Sequence, residues 1–272
     1  MKVSVITTCF NRAGTIRASI DSLLAQDYDD IEHIIVDGAS TDGTMLIVDE
    51  YTWQTQTETF QRERPHFSLR VVSEPDSGMY EAINKGIRMA TGEVIALLHS
   101  DDTLFDPHTL SAAMETITRT GCELLYADGL YVDSQHPNLI VRDWRGGAFA
   151  PWKVRHGWLP LHTTTYIRRD TMERLGLYDE QYLIASDTDL LLRYLLTPGL
   201  KVEYLRRYVV RMKVGGLSTN ILNTNHMWAE DVRIMRTHHM PLPPLKKVEK
   251  MMWKVPQYLR AAVKNVLWML RR

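Results

Sequence analysis

The 272-residue chain contains no unbroken apolar run of about 18 residues, the length that a membrane-spanning helix needs. No such helix is expected. It has two cysteines, Cys9 and Cys122, far apart and in strand-like surroundings. They supply neither a disulfide framework nor zinc-ligand spacing, and they read as buried thiols of a reducing compartment. The opening stretch "MKVSVITTCFNR" holds too short an apolar segment for a signal peptide. No internal repeat is present. The turn after the first strand, "TCFNRAG", lacks the Gly-rich, basic phosphate loop that sugar nucleotidyltransferases carry. A net charge of either sign is nearly missing as well, at −1. The balance is uneven, because residues 241–272 carry eight Lys or Arg against one Glu. The tail is therefore +7 and the remainder −8, which makes the main body a poor partner for nucleic acid.

What is present is an ordinary globular composition, 44% hydrophobic and 24% charged. The length suits one large domain, or one domain with an appendage. Apolar strands alternate with amphipathic helices through residue 130: "VSVITT", "AGTIRASIDSLLAQ", "IEHIIVD", "TDGTMLIVDEY", "LRVVSE", "GMYEAINKGIRMA", "GEVIALLHS", "PHTLSAAMETITR" and "CELLYADGLYV". This order predicts a mostly parallel α/β sheet covered on both faces. The polar stretch 52–66 reads as a surface excursion. After residue 130 the rhythm breaks into loops and short strands. "TTTYIRRD" reads as a strand, "SDTDLLLRYLL" as a helix, "LKVEYLRRYVVRMKV" as two short strands and "ILNTNHMWAEDVRIMRTHH" as a helix.

Ligands of open parallel sheets bind beyond the carboxyl ends of the strands. Those ends read "TCFNRAG", "DGASTDGT", "EPDSGMYEAINKG" and "HSDD", so polar and acidic residues collect at one edge. Asp37 ends the second strand. Asp-Gly is a turn signal, yet a carboxylate there also suits the imide N–H of a uracil. Asp101 and Asp102 are adjacent like charges at a strand end. Asp106, ahead of Pro107, supplies the helix cap, which leaves the pair free to bind Mg²⁺ or Mn²⁺ through hard oxygens. His99 reads as a satisfied, partly buried histidine, and His162 can face either an acceptor or a metal. In "SDTDLLLRY", Asp187 and Asp189 point to nearly opposite sides of a helix. Ser186 and Asp189 match a capping box, and Asp189 also reaches Arg193 at i+4. Asp187 has no such structural occupation.

Taken together, "VSVITTCFNRAGTIRASIDSLLAQDY", "IIVDGASTDGT", "EPDSGMYEAINKGIRMATGEVIALLHSDD" and "SDTDLLLR" cover roughly residues 3–195. In these pieces the sequence resembles the inverting glycosyltransferases of family two, of GT-A fold, especially bacterial polysaccharide-assembly members. The resemblance implies a nucleotide-sugar donor, usually a UDP-sugar, and a divalent metal, Mn²⁺ or Mg²⁺. It implies Asp37 at the base and donor contacts from Thr8, Phe10, Arg12, Gly78 and Asn84. It implies Asp101 near the ribose or sugar, Asp102 on the metal, and Asp187 as the catalytic base. The chain departs from the pattern twice: Gly38 stands where a second acid often follows Asp37, and Ser186 where an acid often precedes the base. The chemistry implied is a single inverting displacement onto a glycan or lipid-linked glycan acceptor of surface polysaccharide synthesis. A sugar nucleotidyltransferase and a non-catalytic nucleotide-sugar scaffold are the alternatives.

The expected division is a nucleotide-sugar half at 1–130, an acceptor half at 131–240 and a basic amphipathic tail at 241–272. Apolar residues recur at helical spacing from Val248 to Leu270, interleaved with Lys and Arg. Pro256 is expected to divide the tail into two helices. A helix of this kind either packs on the domain with a solvated basic face or lies on an anionic membrane surface. The second reading is the expectation, and it places the protein at the inner face of the cytoplasmic membrane.

Overall fold

The first 97 residues deliver four strands whose carboxyl ends share one edge. The computed structural model describes residues 1–215 and 224–270. Its first half runs β1 (Val3–Cys9), α1 (Ile16–Leu24), β2 (Ile31–Asp37), α2 (Thr44–Gln56), α3 (Glu58–Glu63), β3 (Ser68–Ser73), α4 (Met79–Met89), β4 (Val94–Leu97), β5 (Thr103–Leu104), α5 (Thr109–Thr120) and β6 (Leu124–Val132). The second half runs β7 (Ile140–Trp144), α6 (Pro151–Arg155), β8 (Tyr166–Arg168), α7 (Arg169–Leu175), α8 (Ser186–Leu195), β9 (Val202–Lys213), α9 (Thr224–Thr237) and α10 (Lys246–Met269).

The strands form one sheet in the order β3-β2-β1-β4-β8-β6-β9-β5, with β7 paired on β6. From β3 to β4 every pairing is parallel, as the alternation of strands and helices requires. The other half is mixed. β8 is antiparallel to both β4 and β6, β6 and β9 are parallel, and β5 and β7 are antiparallel additions. Successive strand residues feed opposite faces. Ile6, Ile34 and Val36 join one buried cluster, while Val3, Val5, Ile31 and Ile35 join the other. Helix α4 lies close on the sheet because Gly86 has no Cβ: one there would stand 2.5 Å from the Ile6 side chain.

Three segments differ from the sequence reading. Residues 52–63 are largely helical, as the end of α2 and then α3. Their polar side chains are satisfied locally: Thr52 donates to the Val48 carbonyl, and Thr57 Oγ1 accepts from the Phe60 amide as a cap. β9 is one strand of 12 residues instead of two. Its register against β6 shifts around Ala127 and Asp128, and these bulges absorb the break that Arg206 and Arg207 make in the pattern.

The third difference is α10, a single helix that contains Pro256. Its contacts hold it on both sides of that proline. Trp253 Nε1 donates to the His156 carbonyl, Gln257 Oε1 accepts from Arg142, and Asn265 exchanges hydrogen bonds with the Ile140 backbone on β7. The orientation of α10 also corrects the expected basic face. Lys250 pairs with Asp231, Arg260 donates to the Asp143 carbonyl, and Lys264 lies 3.0 Å from the Asp143 carboxylate. None of the described basic side chains of α10 is exposed, and every exposed residue described on the helix is apolar. Leu259, Met252 and Val263 are 63%, 67% and 59% exposed. The helix of the "ILNTNHMWAEDVRIMRTHH" segment is observed from Thr224. Residues 221–223 of that reading, with Arg271 and Arg272 of the basic tail, lie outside the described residues.

Candidate active site

The loops after β1, β3 and β4 surround a cavity of about 330 Å³. Seven of the expected site residues line it: Thr8, Phe10, Arg12, Gly78, Asp101, Asp102 and Asp187. Gly78 opens α4 at a φ of 154°, which suits glycine. Phe10 is 58% exposed within the lining.

Two of the expected residues fall elsewhere. Asp37 is fully buried outside the lining, with both carboxylate oxygens engaged. It accepts from the Ser40 hydroxyl and amide, from Ser73 Oγ at 2.6 Å and from the Cys9 thiol. The Ser40 contacts are the turn chemistry of the "DGAS" segment, while Cys9 and Ser73 reach Asp37 from the neighbouring strands β1 and β3. Asn84 is also buried away from the cavity. It faces inward from α4, where its carboxamide pins the Tyr178 backbone through both atoms at 2.8 and 3.0 Å and reaches Glu180.

One acid in the lining was missed in the sequence. Asp76, from the loop after β3, accepts from the Gly78 amide at 3.1 Å. Its Oδ2 lies 2.8 Å from where a Cβ on residue 38 would stand. Asp76 thus occupies space beside the β2 turn that a larger residue at position 38 would need. The "DSG" spelling marks a turn, and nothing in it distinguishes a turn acid from a cavity acid.

Asp102 ends up 2% exposed. Its Oδ1 receives the Lys213 amide at 3.3 Å, while its Oδ2 is buried with no partner among the described residues. Burial raises its pKa well above the ordinary carboxylate value, and the neighbouring Asp101 adds to the rise. An orphaned buried carboxylate oxygen is costly unless a cation completes it. This fits a hard divalent ion that takes few protein ligands. Among the described residues, no three His, Cys, Asp or Glu groups stand close enough to hold such an ion unaided. Most of its ligands would therefore come from a bound diphosphate and water.

Asp187 lies in the first turn of α8. The Thr188 amide donates to Oδ1 at 2.8 Å, and the Tyr80 hydroxyl lies 3.3 Å from the same oxygen. These hydrogen bonds favour the ionised form, but burial outweighs them and raises the pKa. His162 Nδ1 approaches Asp187 Oδ2 at 3.3 Å, and its Nε2 meets His99 Nε2 at 3.1 Å. Burial lowers both imidazoles to about 4, with His162 opposing charge on His99, so both rings are neutral near pH 7. With Asp187 ionised, His162 donates from Nδ1 to the carboxylate and accepts from His99 at Nε2. His162 therefore orients the expected base.

Ser186 and Asp189 do not form the expected capping box. Ser186 Oγ is buried without a partner, and the α8 N-cap is Ala185. Asp189 accepts from Arg193 at 3.0 Å, as its spacing predicts, and contacts His238 at 2.8 Å. Asp106 receives the His108 amide and the Arg207 guanidinium, and α5 begins at Thr109.

A second cavity, of about 170 Å³, lies on the other side of Asp187 and His162. The inner face of α10 forms one wall through Lys250, Trp253, Lys254 and Gln257. Burial, then Arg142 and Lys250, lower Lys254 from 10.5 to about 8.

Residues 4–176 match the family described as Glycosyl transferase family 2. A PGL/p-HBAD biosynthesis glycosyltransferase of Mycobacterium tuberculosis is 28% identical over 228 residues, 81% of this chain and 80% of that protein. An uncharacterized glycosyltransferase of the same species is 30% identical over 197 residues, 70% of this chain and 68% of that protein. In fold, the chain resembles Staphylococcus aureus TarS 1–349 in complex with UDP-GlcNAc, with a TM-score of 0.63 at 18% identity over 93% of this chain and 71% of that one. It also resembles the mannosyltransferase PcManGT of Pyrobaculum calidifontis in complex with GDP-Man and Mn²⁺. That likeness has a TM-score of 0.64 at 19% identity and covers 98% of this chain and 75% of that one. The fold is the GT-A fold.

Proposed function

The chain belongs to glycosyl transferase family 2, and from that premise we propose an inverting, metal-assisted transfer of a sugar from a UDP-sugar to a lipid-linked glycan. The observation that carries this reading is the convergence of Asp102, with its orphaned oxygen, and Asp187 on one cavity. Thr8, Phe10, Arg12 and Gly78 line the cavity where the donor would sit, and Asp76 and Phe10 stand nearest the β2 turn. Asp102 would hold the metal, with Asp101 beside it. When bound, a divalent cation there supplies charge stabilisation at the departing diphosphate. Asp187 takes the proton from the acceptor hydroxyl, its raised pKa helping it to do so. His162 holds the carboxylate in place during that transfer. One base and one displacement invert the anomeric centre.

A non-spanning membrane association follows from α10. Among the described residues no helix is long and apolar enough to cross a bilayer. The exposed strip from Val248 to Leu270, with Tyr258 and Trp268 on it, has the form of an interfacial helix. Its described cations face the protein, so the association is chiefly apolar. Such a protein would work at the inner face of the cytoplasmic membrane, close to a lipid-linked acceptor. The ligands of the structural neighbours, UDP-GlcNAc and GDP-Man with Mn²⁺, support a nucleotide-sugar donor. The test is a panel of nucleotide-sugars assayed with Mn²⁺ for hydrolysis and transfer. UDP-sugar turnover that needs the metal is expected; turnover undiminished by EDTA would refute the metal's part.

A further inference from the structure

Among the described residues, the cavity beneath α10 contains two cations without a counter-charge. Arg142, from β7, is 9% exposed. Its Nε donates to Gln257 Oε1 at 2.6 Å, and its guanidinium lies 4.1 Å from the Trp144 ring centroid. Its Nη2 is buried and has no hydrogen-bond partner among the described residues. Lys254, one helical turn before Tyr258, lines the same space and is only partly exposed. Among the described residues, no carboxylate comes within 4.0 Å of either cation. The third cation there, Lys250, is already neutralised by Asp231 at 2.7 and 2.8 Å. The remaining acid in the lining is Asp187, whose carboxylate is turned toward Tyr80, Thr188 and His162.

Two buried cations side by side repel one another and lose hydration. Such a pair persists at a ligand site when the ligand brings the missing negative charge. The cavity is lined by Asp187 and runs beneath the helix whose exposed described residues are all apolar. We propose that this cavity is the acceptor subsite, and that Arg142 and Lys254 bind a phosphate ester of the acceptor there. A doubly charged phosphate matches two cations better than a single carboxylate does. The acceptor hydroxyl then reaches Asp187 while a lipid attached through the phosphate leaves along α10. This rests on the glycosyltransferase reading above and adds the charge of the acceptor to it.

The experiment uses the full-length protein saturated with UDP and Mn²⁺, so that the donor cavity is filled. Glucose 1-phosphate, methyl glucoside and inorganic phosphate are titrated by calorimetry. The sugar phosphate is expected to bind at least about ten-fold tighter than the neutral sugar, the value of a charge-assisted hydrogen bond. Arg142→Gln and Lys254→Gln should each weaken it by about ten-fold or more, with Arg142→Lys retaining most of the affinity. UDP affinity should be unchanged in all three, which also reports that each is folded. Lys254→Gln keeps the test decisive if Arg142→Gln fails to fold. Equal binding of the charged and neutral sugars, or variants that bind the sugar phosphate normally, overturn the proposal. So does inorganic phosphate binding as tightly as the sugar phosphate, which would make the cavity a free-anion site. A wild-type protein that binds no UDP would instead sink the glycosyltransferase assignment of the first cavity.

Discussion

Lys254→Met removes a charge that the folded protein holds at a cost. Burial and the neighbouring Arg142 and Lys250 lower this lysine from 10.5 to about 8. At 1.36 kcal/mol per pKa unit the penalty is at most about 3 kcal/mol, and water reaching the cavity reduces it to about 1–2 kcal/mol. Methionine keeps the aliphatic stem and discards the ammonium. The ligand-free variant should therefore be more stable than wild type at pH 7, by about 1–2 kcal/mol or a few degrees in Tm. The sign with pH follows from proton binding. The folded pKa lies below the unfolded one, so between about pH 8 and 10.5 the unfolded chain binds the extra proton. Wild-type stability gains on the variant as pH rises through that window, and the penalty is present in full below it. Urea unfolding of both proteins at about pH 7 and pH 10 measures the difference. A variant no more stable at neutral pH, or a gap that persists unchanged at pH 10, would refute the reasoning.

Asp187→Asn should keep UDP binding while transfer falls by about two to four decades, measured by titration and by single-turnover assay. Asp189→Asn should instead lose about 1 kcal/mol of stability, through Arg193 and His238, with transfer retained. Asp102→Ala should abolish metal-dependent turnover and weaken UDP binding in the presence of Mn²⁺; normal UDP affinity in the variant would count against its part in the site. Vesicle flotation of the full-length protein should vary little between about 0.1 and 0.5 M salt, because none of the described cations of α10 is exposed. Leu259→Asp with Val263→Asp should lower the bound fraction by about ten-fold or more. Strong salt dependence with intact binding of the double variant would reverse that account.

The parallel half of the sheet was legible because apolar runs and helical spacing recur there without interruption. The edge that carries Phe10, Asp101 and Asp102 followed from the same order. What stayed hidden were polar residues whose partners come from distant parts of the chain. Nothing local in "VDGAS" says that Ser73, 36 residues on, takes one oxygen of Asp37. Nor does "EAINKG" reveal that Asn84 is fixed by Tyr178. The tail shows a related ambiguity. Helical periodicity divides α10 into an apolar and a basic face, but the acids that draw the basic face inward, Asp143 and Asp231, are set by tertiary structure. Arg142 lies in the irregular region after residue 130, where strand and loop signals are weakest.

Asp76 and residue 38 compete for one small volume. Adding an acid at position 38 would put its Cβ 2.8 Å from the Asp76 carboxylate and would set two negative charges against each other. The acid beside the β2 turn can thus come from either loop, but not from both without rearrangement. Exchanging both positions at once, Gly38→Asp with Asp76→Gly, is the short route between the two arrangements. The single substitution Gly38→Asp first requires the tip of the Asp76 side chain to swing aside.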